Sequence, residues 1–181
     1  ALTITLRRAL VAIAGIRLAL GLAGYAVLVA NHAQGPAAAW LGSRSLALFL
    51  LHAVVYAMAA VFLFVGGRDD PRAQHLAIFF LLVAATYSGQ PIQSLFPFIP
   101  SGLVSLVGAP GKIAIDAFLP LFLWLFVREF PESPFAGSSR RSLRWPIGAA
   151  AGVGAGLFPA NPLVSFALDF FSVGVSLPPL R

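Results

Sequence analysis

The sequence predicts an all-α fold, a polytopic bundle of membrane-crossing helices, and three observations predict it. Of 181 residues, 59% are hydrophobic and only 10% are charged, and the mean hydropathy is +0.90. Soluble domains carry about 25% charged residues because water must solvate their surface; that cover is missing here, so the natural solvent is lipid. In lipid every backbone N–H and C=O needs a partner within the fold, which leaves helices or closed barrels. The apolar runs are long and lack the period-two alternation of barrel strands, which selects helices.

Taken in order, the first span is expected at 9–30, long enough for the ~20 residues that cross a bilayer core. Arg7 and Arg8 precede it as a cytoplasmic anchor. The pair followed by an apolar stretch looks like a secretory signal. However, Arg17 interrupts the would-be apolar core and no small-x-small site closes it near Asn31 and His32, so a retained signal anchor is expected. Gly35, Pro36 and Trp40 then mark a short outer loop.

The second span, 46–65, ends in the turn GGRDDPR, a solvated hairpin leading to a third span at 74–88. From 88 to 111 four prolines (Pro91, Pro97, Pro100, Pro110) argue against a regular crossing, and an outer segment with a short interfacial helix near 103–107 is expected. The fourth span, 112–130, carries Pro120, expected to kink it, and Arg128 at its inner end. After a loop containing Arg140, Arg141 and Arg144 come two shorter apolar runs, 147–158 and 163–177. The expectation is one transmembrane domain, 1–181, with four to six crossings.

Charge fixes the orientation expected. The formal charge is +6, and with the N-terminus inside, Arg7, Arg8, Arg68, Arg72, Arg128, Arg140, Arg141 and Arg144 are cytoplasmic while only Arg44 and Lys112 lie outside. A bacterial inner membrane with a cytoplasmic N-terminus fits this asymmetry. No basic face interleaved with aromatic residues is present, which excludes nucleic acid as a partner. Zero cysteines exclude disulfides, thiol catalysis and iron–sulfur clusters. No Ser/His/Asp set, HExxH or dinucleotide fingerprint occurs, so the chain is not expected to be an enzyme.

Few polar residues remain to carry chemistry. Arg17 falls about eight residues into the first span. It is expected to snorkel to the cytoplasmic headgroups; the sharper alternative pairs it with Asp169 in the last apolar run. Lys112 and Asp116, four apart, are expected to form an interfacial ion pair on one helix face, with a ligand or ion site as the alternative. His52 is expected to bond a neighbouring helix. A pigment ligated by its imidazole is the alternative, but no cofactor is expected, and His32 and His75 lie at the wrong depths for a bis-histidine haem. Gly148, Gly152 and Gly156 form a small-xxx-small stripe, expected to be a helix-packing face. No Lys-Ser/Thr follows it, so it is not a phosphate loop.

The stretch from Leu46 to Arg144 resembles the multi-helix membrane sensor region of bacterial signalling proteins, of the histidine-kinase or phosphatase-regulator type. The resemblance rests on VFLFVGGRDDPR, residues 61–72, and on AFLPLFLWLFVREFPES, residues 117–133, whose turn is Phe130, Pro131 and Glu132. The family more usually has an aromatic or histidine near Leu123, Trp124 and Leu125, and no kinase, cyclase or phosphatase sequence is present. The resemblance implies a sensory or anchoring module working without catalysis. The alternative is an accessory subunit of a photosynthetic, electron-transfer or transport complex. There phenylalanines such as Phe79, Phe80, Phe166, Phe170 and Phe171 would pack on partner helices or pigments. The bilayer, other membrane subunits or a second copy of the chain are the expected partners. A transporter would show two corresponding interrupted halves, and no internal repeat is found.

Overall fold

A computed structural model of the chain describes residues 2–32, 43–129 and 144–172. Among the described residues seven α-helices follow in order: α1 (Leu2–His32), α2 (Ser43–Gly66), α3 (Pro71–Thr86), α4 (Gly89–Gln93), α5 (Ser101–Lys112), α6 (Leu119–Arg128) and α7 (Arg144–Ser172). Short 3-10 turns at Phe96–Phe98 and Ile115–Phe118 join α4 to α5 and α5 to α6. No strand occurs among the described residues.

Local chemistry explains the punctuation. At the α2–α3 hairpin a Cβ on Gly67 would overlap the side chain of Ala73, so the chain turns there only because the residue is glycine. Asp70 then caps α3, its carboxylate accepting from the Arg72 amide at 2.9 Å, and Pro71 occupies the first helical turn, where a missing N–H costs nothing. The same logic places Pro97 and Pro120 at the starts of their short helices.

Two stretches among the described residues are long and apolar enough to cross a membrane: Ile4–Ala30, of 27 residues, and Ser101–Arg128, of 28. A third appears if Pro71–Thr86 and Pro91–Phe98, bent by 50° to one another, are taken as one broken span. The apolar part of α2, Leu50–Gly66, is shorter. So among the described residues the structure shows an all-α chain with two to three candidate crossings, and the four to six expected are not confirmed.

The boundaries also move. The candidate that covers the stretch expected at 112–130 begins at Ser101 and takes in α5, where an interfacial helix was expected. Pro120 does not kink this crossing; the chain breaks earlier, at Ile113 and Ala114, and Pro120 starts the helix that resumes. The run at 147–158 and the described part of the run at 163–177, up to Ser172, share one helix, α7.

The core lies where α1, α3 and α6 meet the 3-10 turn before α6, around Leu10, Ile78, Leu82, Ile115, Phe118 and Phe122. Helix α7 closes on it at Gly154, where an added Cβ would lie 2.7 Å from the Phe118 ring. Outward-facing residues of α2 remain bare, with Phe62 75% and Val65 76% exposed. Such a surface suits hydrocarbon, not water.

Candidate functional site

Helix α1 has one buried stripe. Leu10, Ala14, Arg17, Gly21 and Gly24 follow at alternating spacings of four and three, which brings them to one face. Four of the five are small or aliphatic, and the fifth is a charged arginine. Arg17 lies thirteen residues from Ile4 and thirteen from Ala30, the centre of that span, about 20 Å from either end at 1.5 Å per residue. Its side chain is only 7% exposed. The expected snorkelling does not occur: the helix starts seven residues before the span drawn from sequence, and the side chain turns inward.

Two broken helices receive this stripe. Between α3 and α4 the chain bends at Tyr87 and Ser88. In a continuous helix the Tyr87 carbonyl would accept from residue 91, but Pro91 has no N–H. The Tyr25 hydroxyl donates to it instead, at 3.1 Å. Close approach makes this possible: a Cβ on Gly24 would overlap the Pro91 carbonyl oxygen, and a Cβ on Gly21 would overlap the Ser88 side chain. Ser94 fastens the other end of α4, its hydroxyl lying 2.9 Å from the Gly24 carbonyl and 2.6 Å from that of Pro91.

Between α5 and α6 the ladder fails without any glycine or proline at the break itself. Ala114 has φ −79° and ψ 69° and the Ile115 amide donates to the Ile113 carbonyl at 2.9 Å, which is an inverse γ-turn. Arg17 Nη1 donates to the same carbonyl at 2.7 Å. Ile113 is the C-cap of α5, so the guanidinium sits at the negative end of that helix dipole. Its Nη2 faces the other break, where a Cβ on Gly89 would lie 3.3 Å away.

The junction is incompletely satisfied. Arg17 Nε and Ser88 Oγ are buried with no hydrogen-bond partner among the described residues. Asp116 lies exposed on the turn that follows the break. A buried charge is costly without close compensation. The arrangement can stitch α1 to two broken helices.

A second polar cluster lies toward the arginine-rich end. Arg7 Nη2 donates to Gln74 Oε1, and Gln74 Nε2 donates to the Arg68 carbonyl at 2.6 Å. The adjacent His75 packs against Phe122 with ring centroids 6.4 Å apart, and its Nδ1 is buried without a partner among the described residues.

The other residues singled out from sequence lie apart from the junction. Asp169 belongs to α7, but its side chain falls outside the described residues, so its pairing with Arg17 does too. Lys112 ends α5 and Asp116 follows the break, so the two do not share one continuous helix face. His52 bonds its own helix rather than a neighbour: Nδ1 is 2.6 Å from the Leu48 carbonyl, and the ring stacks on Tyr87 at 5.7 Å. A Cβ at Gly148, Gly152 or Gly156 would meet nothing within 4 Å, so within this chain that stripe packs on nothing described, and Gly154 is the glycine that packs. Phe130, Pro131 and Glu132 lie outside the described residues.

Sequence reasoning missed Gly21, Gly24, Ser88, Gly89 and the Ile113 carbonyl. The alternating spacing from Leu10 to Gly24, with two glycines beyond an arginine, was the available signal for the first two. No protein family, curated protein or solved structure matches the chain.

Proposed function

We propose that this chain is a non-catalytic membrane module, the sensory or anchoring region of a bacterial signalling protein, whose helices move against one another about the Arg17 junction. The observation that carries this reading is the convergence of two helix breaks on one buried arginine at mid-span. Broken helices are costly in lipid and persist where the irregular backbone is held by protein. Holding both breaks to α1 couples a displacement of α1 to the outer segment (α4 and α5) and to α6, whose end leads toward the basic loop. That is the mechanical connection a sensory module needs.

In this reading α1, α2, α3, the α5–α6 pair and α7 are five crossings of the inner membrane with the N-terminus cytoplasmic. The position of Arg7, Arg8, Arg68, Arg72, Arg128 and Arg144 at one end of the helices supports that orientation. The resemblance in the 61–72 and 117–133 segments points the same way.

The test is purification in mild detergent followed by mass spectrometry and absorption spectroscopy. A protein that emerges colourless and without stoichiometric partners supports the sensory module. A bound pigment or a fixed complement of other subunits overturns it in favour of an accessory subunit.

A further inference from the structure

Helices α1 and α2 leave a groove between them, and the rows of residues that wall it lead to exposed arginines. On α1, Arg8, Val11, Gly15, Leu18 and Leu22 follow at alternating spacings of three and four and so share one face. This face lies beside the buried stripe that carries Arg17, and it is open: a Cβ on Gly15 would meet nothing within 4 Å. On α2, Val54, Met58, Val61 and Val65 repeat the spacing, and Arg68 follows at the same interval in the turn beyond the helix. Leu18 and Leu22 on one side and the α2 row on the other line a groove of about 560 Å³, and every lining residue is apolar.

The two rows are tied together at the arginine end. Arg7 Nη2 donates to Gln74 Oε1 and Gln74 Nε2 donates to the Arg68 carbonyl at 2.6 Å, so one glutamine bridges the start of α1 and the turn after α2. Arg8 and Arg68 are exposed there, and neither forms an ion pair with a described residue. Of the carboxylates at this end, Asp70 is taken up by Arg72 at 3.3 Å and Glu129 by Arg128 at 2.7 Å, which leaves Asp69, exposed beside Arg68. Six arginines (Arg7, Arg8, Arg68, Arg72, Arg128 and Arg144) thus face three carboxylates, an excess of positive charge.

An apolar groove that leads to unpaired cations fits an amphiphile with an anionic head. The groove also has the length of one leaflet. From Ala53 to Val65 it covers twelve residues, about 18 Å at 1.5 Å per residue, and half of the ~30 Å hydrocarbon core is about 15 Å. A transmembrane partner helix would pack across both leaflets. A second copy in the same orientation would set Arg8 and Arg68 against their own counterparts, a juxtaposition of like charges.

We infer that the α1–α2 groove holds an anionic phospholipid, with an acyl chain along Val54, Met58, Val61 and Val65 and its phosphate between the Arg8 and Arg68 guanidinium groups. Guanidinium groups bind phosphate through paired N–H donors, and basic pockets between membrane helices take anionic head groups. A zwitterionic lipid offers the same phosphate but brings an ammonium to a rim that already carries excess positive charge, so the charge of the head group sets the preference. The inference needs α1 and α2 to lie in a bilayer, as the proposed crossings have them, and nothing of the sensory role.

The test reconstitutes the full chain in liposomes of equal phosphatidylglycerol and phosphatidylcholine, extracts it into mild detergent and counts the retained lipids by native mass spectrometry. One phosphatidylglycerol per chain is expected, in excess over phosphatidylcholine. Arg8→Gln and Arg68→Gln, both at exposed positions, should each lower that excess about fivefold, the share of one arginine near an anionic surface. Val61→Trp, also exposed, fills the groove with the arginines in place and should lower retention of both lipids. Equal retention of the two lipids in the unmodified chain overturns the inference, as does a preference that either arginine variant leaves intact. Retention unaffected by Val61→Trp also overturns it, by placing the lipid on the rim alone. The sequence has no cysteine, so Phe62→Cys reports on a second copy: a disulfide-linked dimer formed in the liposomes would put that copy in the groove and exclude the lipid. None of these outcomes touches the sensory reading, and copurifying subunits or pigment would remove that reading while leaving the lipid count to stand by itself.

Discussion

Arg17 of α1 reaches the carbonyl oxygen of Ile113, 2.7 Å away and 96 residues on, at the point where the α5–α6 crossing loses its helical ladder. The bond joins the centre of one span to the break in another. The Ile115 amide already donates to this carbonyl in the turn, and the guanidinium at the end of α5 supplies a second, charged donor to it.

Removing that donor should therefore loosen the whole junction. Hydrogen bonds involving charged groups contribute about 1.5–3 kcal/mol, and Arg17→Ala also leaves a cavity beside Ser88 and Gly89. The expected loss is about 2 kcal/mol, read as a lower unfolding midpoint in lipid nanodiscs. Arg17→Gln keeps a donor without the charge and should recover part of it. Relief of the buried charge works in the opposite direction, so an unchanged or raised midpoint for Arg17→Ala would show that desolvation outweighs the bond.

The glycines of α1 and α7 should respond in opposite senses to the same change. At Gly24 a Cβ overlaps the Pro91 carbonyl oxygen, a backbone atom held by Ser94 and unable to step aside. Gly24→Ala is expected to cost about 1–3 kcal/mol, the range for overpacking. At Gly152 the Cβ enters open space, and alanine is better than glycine in a helix by up to about 1 kcal/mol. Gly152→Ala should be neutral or stabilising; a large loss there would mean that its stripe is covered in the membrane. Unfolding midpoints of the two variants decide it.

How much of this was legible follows from where each signal resides. The α2–α3 hairpin is legible because Asp70 as a cap and Pro71 in the first turn start α3 by local chemistry, and glycine at 67 permits the close turn before it. Arg17 stands out in the sequence, but its depth does not: Arg7 and Arg8 point to a span starting at 9, whereas α1 begins at Leu2 and carries both arginines within the helix. The break at Ile113 and Ala114 had no local mark. Pro110 and Gly111 lie inside α5, and Pro120 already belongs to α6, so the visible breakers point elsewhere. A tertiary hydrogen bond from α1 holds the break, and such a bond leaves no trace in local composition. The stripe at Gly148, Gly152 and Gly156 shows the converse, a strong pattern whose partner is not within the described chain.

Acid should weaken the start of α3. The Asp70 carboxyl is held below its ordinary value, chiefly by the hydrogen bond from the Arg72 amide and further by the Arg72 side chain. A carboxylate with a lowered folded-state pKa stabilises the fold above its unfolded value, near 3.9, and that contribution disappears as pH falls through the lowered value. Hydrogen exchange at the Arg72 and Ala73 amides should accelerate, relative to intrinsic rates, when the pH drops from 5 to below about 3. Asp70→Asn retains a capping oxygen but not the charge, so its protection should lose this pH dependence. Equal dependence in both proteins would exclude Asp70 as its source.

Tyr25 offers the most discriminating test of the idea that α1 repairs broken helices. Its hydroxyl donates to the Tyr87 carbonyl at 3.1 Å, whose helical partner would be the amide of residue 91, a proline. Tyr25→Phe removes only the donor, and losing one such hydrogen bond costs about 0.5–1.5 kcal/mol. If the missing amide at Pro91 is the reason that the hydroxyl is needed, restoring it should make the hydroxyl less important. Pro91→Ala supplies an N–H to the bend, so Tyr25→Phe should cost less in the Pro91→Ala background than alone. A coupling of at least about 0.5 kcal/mol is expected, as found for side chains that share a partner. Strict additivity of the two substitutions would mean that the bend is fixed by the packing of Gly21 and Gly24 alone. In that case the Tyr25 bond follows from the bend and does not hold it.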